Sequence, residues 1–254
     1  MEWTKKEVRH FIVAVFLLTF IFGLNDRAEV FNASQYITNL FQVFLGAIVI
    51  LFVFVVAQKI WAFKYGASVE FNVWWIKRYY FYPGSSLPKK IKFFGKDVVW
   101  NHFYIGPIVS VLVTLVSQGT SYFCFVGSTI MTEHKKYHAG ERYRHILTLE
   151  TAQVAFAGVV AVLLVVLMAI AAGRDMFSSF ILMGMYFIGF QMIPLPRLAG
   201  GRLFFDALPL YVFTAVLALS SLLIAWYVGV IAAIIVGIIV AIIAVSVYAF
   251  WKLR

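Results

Sequence analysis

The residue types that most often carry chemistry are few in this chain, and their spacing is poor for it. Its five histidines are His10, His102, His134, His138 and His145. The residues after them are Phe, Phe, Lys, Ala and Ile, so the H-E-x-x-H signature of a zinc hydrolase is absent. A G-x-S-x-G elbow, a phosphate-binding P-loop and a dinucleotide fingerprint are missing as well. One stretch has ligand-like spacing, Glu133-His134-Lys135-Lys136-Tyr137-His138-Ala139-Gly140-Glu141, with His145 beyond it. If helical, it places His134, His138, Glu141 and His145 on one face, a candidate metal site for a membrane enzyme. Gly140 weakens such a helix, and Lys135 and Lys136 repel a cation. A single cysteine, Cys124, excludes an intrachain disulfide framework and any multi-cysteine metal cluster. Ser117, Thr120 and Ser121 have no base placed beside them by the sequence.

The elements that must position these residues are membrane elements. Of 254 residues 63% are hydrophobic and 13% charged, with mean hydropathy +0.92, more apolar surface than a water-soluble domain can hide. This excludes a soluble enzyme, a disordered tail and a nucleic-acid-binding domain. The net charge of +10 fits the basic loops of a membrane protein. We expect an all-α polytopic membrane protein forming a single membrane domain over residues 1–254. It has about six transmembrane helices, near 11–25, 40–60, 151–173, 176–193, 207–226 and 229–251. To these we add a re-entrant segment at 103–132 and a short membrane-associated strand region. The charge-free run Phe103 to Thr132 would be about 45 Å long as a straight helix, against a hydrocarbon core of about 30 Å. It must bend, and the break Ser117-Gln118-Gly119-Thr120-Ser121 supplies the place. The run Ala207 to Trp251 would be about 67 Å, so it divides in two, turning near Trp226 to Gly229. Trp74 to Tyr82 forms an aromatic interfacial anchor.

Charge sets the topology. If 103–132 is re-entrant, all but Arg27, Arg174 and Lys59 of the 21 Lys and Arg lie on the side of the N-terminus. If it crosses, the basic residues divide almost evenly. The positive-inside rule selects the first arrangement, an integral membrane protein with both termini cytoplasmic. Asn32-Ala33-Ser34 is then a sequon on the outer side. The spans contain no Asp, Glu or His, which argues against a pump or an ion-coupled carrier.

Four places in the chain resemble the short archaeal-type branch of the site-2 protease family of intramembrane zinc metalloproteases. One is the charged start Trp3 to Arg9 before an apolar run. Another is Lys59 to Ala67 followed by Glu70-Phe71 and Trp74, similar to the region from the family's zinc helix into its membrane-associated strand. Ala155-Phe156-Ala157-Gly158 resembles an A-G-P helix start, with Val159 in place of proline. The most specific is Gln191-Met192-Ile193-Pro194-Leu195-Pro196-Arg197-Leu198-Ala199-Gly200-Gly201, similar to the N-x-x-P…L-D-G motif, with Gln191 in place of asparagine.

The departures fall on the chemistry. By this resemblance H-E-x-x-H would occupy 54–58, which reads Phe54-Val55-Val56-Ala57-Gln58. The third zinc ligand would fall on Ala199. Zinc hydrolysis needs three protein ligands and a water, so the catalytic positions Phe54, Val55, Gln58 and Ala199 are degenerate and no cofactor is expected. The resemblance therefore implies a catalytically inactive relative that binds membrane-protein segments or serves in a membrane complex. Its partners are the lipid bilayer and a membrane protein, not nucleic acid. The alternative is a membrane enzyme with metal at His134, His138 and His145. In the resembled family a strand after the zinc helix pairs with an unwound substrate. Here Val69, Phe71 and Val73 alternate with polar neighbours, and we expect them to form a partner-binding edge.

Overall fold

The computed structural model describes residues 3–25, 32–77, 89–93, 96–100, 102–133 and 148–253. In chain order the helices are α1 (Lys5–Gly23), α2 (Ala33–Lys64), α3 (Ile105–Val116), α4 (Thr148–Ala172), α5 (Ser178–Gln191), α6 (Ala199–Asp206), α7 (Leu208–Tyr227) and α8 (Val230–Leu253). The strands are β1 (Ala67–Val73), β2 (Ile76–Lys77), β3 (Lys89–Phe93), β4 (Lys96–Trp100), β5 (His102–Phe103) and β6 (Gly127–Glu133). They pair antiparallel as β1–β6, β2–β5 and β3–β4.

Helix starts follow their caps. The Thr4 side chain accepts from the Glu7 N–H at 3.2 Å and opens α1. Asn32 does the same for Ser34 at the start of α2, and such caps satisfy donors that the first helical turn leaves without partners. α2, α4, α7 and α8 are long and apolar enough to cross a bilayer, while α3 and α5 are shorter apolar helices. A polytopic, mostly helical membrane protein follows directly. The expected span at 176–193 is the 14-residue α5, about 21 Å long. The span expected at 11–25 falls on α1, which ends at Gly23, has a charged first turn and is not one of the four helices long and apolar enough to cross. The turn dividing 207–251 falls at Val228-Gly229, where Gly229 has φ +138°, a conformation that favours glycine.

The bent run was legible as a bend but not in its second half. α3 ends at Val116, and Gln118 (φ 51°) and Gly119 (φ 75°) reverse the chain in left-handed conformations. The return arm is extended rather than helical, and it continues into β6. It packs close to the start of α3: a Cβ on Gly106 would lie 2.4 Å from the Phe125 carbonyl oxygen. The core runs through α1, α2, α4, α5 and α7, with Phe71 of β1 and Val126 of the return arm inside it. Trp74 and Trp75, the start of the expected anchor, are buried within the fold; its Tyr79 to Tyr82 part lies outside the described residues.

Candidate functional site

The positions read as degenerate catalytic residues all lie inside the fold, three on α2 and one at the start of α6. Phe54, Val55 and Gln58 follow one another on the inward face of α2, and Ala199 opens α6; all four are buried. Phe54 meets Phe187 of α5 edge to face, with ring centroids 5.2 Å apart. Apolar packing thus fills the centre. Gln58 is the exception. Neither its Nε2 nor its Oε1 has a hydrogen-bond partner, although its side chain is fully enclosed. It lies against Gly158 of α4, where an added Cβ would come within 2.5 Å of the amide nitrogen. The residue read from sequence as a helix-start glycine therefore makes room for Gln58.

Gln191, at the end of α5, is fully engaged by the chain itself. Its Nε2 donates to the Gly127 carbonyl at 2.8 Å, and its Oε1 accepts from the Ala199 N–H at 3.4 Å. One amide thus ties β6 to the start of α6. A turn further along α6, Arg202 donates to the Thr129 carbonyl. Burial lowers the Arg202 pKa to about 10, opposed by the nearby Asp206 carboxylate, which itself accepts from the Thr151 hydroxyl.

The register of β1 and β6 decides which backbone groups face outward. In an antiparallel ladder alternate residues point their N–H and C=O toward the partner strand and away from it. The β1–β6 pairs run from Ala67↔Glu133 to Val73↔Gly127, and Trp74 N–H continues the ladder to Val126 O at 3.0 Å. Val69, Phe71 and Val73 accordingly point away from β6. Phe71 N–H donates to Glu7 Oε1 at 3.1 Å, and Val73 N–H to His10 Nδ1 at 3.4 Å. The far edge of β6 carries Gln191 on Gly127 and Arg202 on Thr129. Side chains therefore cap both edges of this sheet. The side chains of Val69, Phe71 and Val73 are themselves buried, at 2%, 0% and 4% exposure.

Sequence reading missed Glu7. Its second carboxylate oxygen pairs with Lys59 Nζ at 2.7 Å, both side chains being buried, and the ammonium lies 4.2 Å from the centroid of Trp3. The signal was present in an isolated lysine near the end of an apolar helix, which needs a partner. Arg197 is the other missed residue: it sits at φ 71°, covers the Trp75 ring at 3.4 Å and donates to Trp75 O. With the Trp74 indole donating to Pro196 O at 3.0 Å, it fastens the 192–198 turn to the end of β1.

Among the described residues no group of three or more His, Cys, Asp or Glu could hold a metal ion. His134, His138 and His145, the alternative metal ligands, lie outside the described residues. No family model, curated protein or solved structure matches this chain.

Proposed function

We propose that this protein is a catalytically inactive membrane protein of site-2-protease type that binds segments of other membrane proteins or serves as a subunit of a membrane complex. One observation supports the reading above the rest. Where the resemblance would place two histidines, a glutamate and an aspartate, the bundle holds buried Phe54, Val55, Gln58 and Ala199, with Phe54 packed on Phe187 and Gln58 against Gly158. Function belongs to sites rather than folds, and Phe54, Val55, Gln58 and Ala199 supply neither a histidine or carboxylate ligand nor a general base.

Strand addition remains the binding mode suggested by the resemblance, but it acquires a condition. An extended partner segment beside β1 must displace Glu7 and His10 from the N–H groups of Phe71 and Val73. Beside β6 it must displace Gln191 and Arg202. Partner binding then exchanges internal caps for intermolecular backbone bonds, and its affinity is the difference between the two.

Metal analysis of the purified protein, combined with affinity purification in mild detergent, tests the proposal. The expected result is no stoichiometric zinc, no cleavage of a transmembrane substrate and a recurrent membrane-protein partner. Close to one zinc per chain overturns it. If that zinc is lost in His134→Ala, the metal belongs to the loop and the protein is a metalloenzyme of another kind.

A further inference from the structure

Two cavities open at the end of the bundle where α4 gives way to α5. The first, about 750 Å³, lies among α1, α5 and α7, with Phe22, Leu182, Met185 and Leu222 in its walls. The second, about 950 Å³, follows α2 and α4 past Leu45, Val49, Val165 and Met168. Both are lined mainly by apolar side chains, and they share a polar boundary formed by Asn39, Asp175, Ser178 and Ser179. The Ser179 hydroxyl donates to Asn39 Oδ1 at 3.3 Å, so this boundary is a fixed ridge joining α5 to α2.

Charge on the ridge is divided. Asp175 borders both cavities, and Arg174 borders the first. Arg174 uses one nitrogen to donate to Ala225 O at 2.7 Å and lies 5.5 Å from the Trp226 ring centroid. It is thereby held in place with other N–H donors still to offer, since a guanidinium carries five. An anion-binding and a cation-binding group stand next to each other in sequence at the head of two apolar clefts. From the ridge the first cleft follows α5 from Ser178 to Met185, about 10 Å at 1.5 Å per residue. The second follows α2 from Asn39 on the ridge to Val49, about 15 Å by the same rise, with the amides of Gln35 and Gln42 near its polar end.

A ligand matching this shape has one dipolar head and two apolar arms. A single partner helix, about 10 Å across with its side chains, cannot enter clefts on both sides of a ridge. We propose that the Arg174-Asp175 ridge seats a zwitterionic diacyl phospholipid with an amine headgroup, its phosphate toward Arg174, its ammonium toward Asp175 and one acyl chain in each cleft.

The test is thermal unfolding of the full chain in detergent with added dioleoyl phosphatidylethanolamine, dioleoyl phosphatidylglycerol or monooleoyl lysophosphatidylethanolamine. The expected result is a rise in Tm of several degrees with the first lipid and at most half that shift with the other two. Asp175→Asn, an exposed position, should erase the preference for the amine over the glycerol headgroup. Val49→Trp, which fills the apolar end of the second cleft, should erase the preference for two chains over one. Equal shifts with all three lipids overturn the proposal, as do unchanged preferences in variants that elute as the folded protein. A photoreactive residue at Ser178 that crosslinks to a polypeptide rather than to phospholipid in native membranes also overturns it.

Discussion

Glu7 and Gln58 are two buried polar residues with opposite consequences. Glu7 satisfies both carboxylate oxygens, one with Lys59 and one with Phe71 N–H. Removing one partner of such a buried pair leaves an uncompensated charge, which typically costs about 3–5 kcal/mol. Lys59→Met should therefore lower stability by about that amount, measured by denaturant titration in detergent. Adding Glu7→Gln to it should recover a large part of the loss. Gln58 carries an amide with no partner, and such a group costs about 1–3 kcal/mol relative to an apolar side chain of similar shape. Gln58→Leu should leave stability unchanged or raise it, whereas Gly158→Ala should lower it by forcing a methyl against the Gln58 amide. Their coupling in a double-mutant cycle checks that the contact is direct. A Gln58→Leu variant losing several kcal/mol would mean that the amide has a partner after all.

At the scale of elements, the two-stranded sheet is the piece on which partner binding turns. An isolated pair of strands is marginal, and here four side chains from three helices hold its edges. Gln191→Leu removes the cap on Gly127 and the acceptor of Ala199 N–H together. With each buried group left unsatisfied costing about 1–3 kcal/mol, it should loosen β6 and α6 jointly, seen as faster amide exchange in both. Asn72 lies on the other parity from Phe71 and Val73, so its N–H faces β6. Asn72→Pro should consequently break the internal ladder and accelerate exchange across 127–133, rather than act only on an outer edge. Unchanged exchange in β6 would show that the register is not the one described. The 105–116 arm was legible because its length and its polar end are local properties. β6 was not, since Gly127 to Glu133 becomes a strand by pairing with a segment about 60 residues earlier in the chain.

For the whole molecule, the charge distribution makes the topological prediction. Cysteine probes at Lys92 and Lys136 should both react with a membrane-impermeant reagent from the cytoplasmic side only, because that arrangement gathers nearly all of the Lys and Arg there. Labelling from opposite sides would require the 103–132 run to cross. The chain reversal at Gln118-Gly119 and the pairing of β6 with β1 bring residue 133 back beside residue 67, and they fit a return to the side of entry.

Composition and the lengths of charge-free runs alone determined that this is a polytopic membrane protein. They also fixed where its longest helices lie, because bilayer thickness imposes a local length on each apolar segment. The absence of an H-E-x-x-H signature was likewise legible, being a matter of residue identity at fixed spacing. The tertiary structure alone decided that Glu7 reaches Lys59, that Gly158 admits Gln58 and that Gln191 and Arg202 cap β6. Each of these joins residues far apart in the chain. Such contacts depend on how helices pack and which strand register forms, and hydrophobic periodicity carries no information about either.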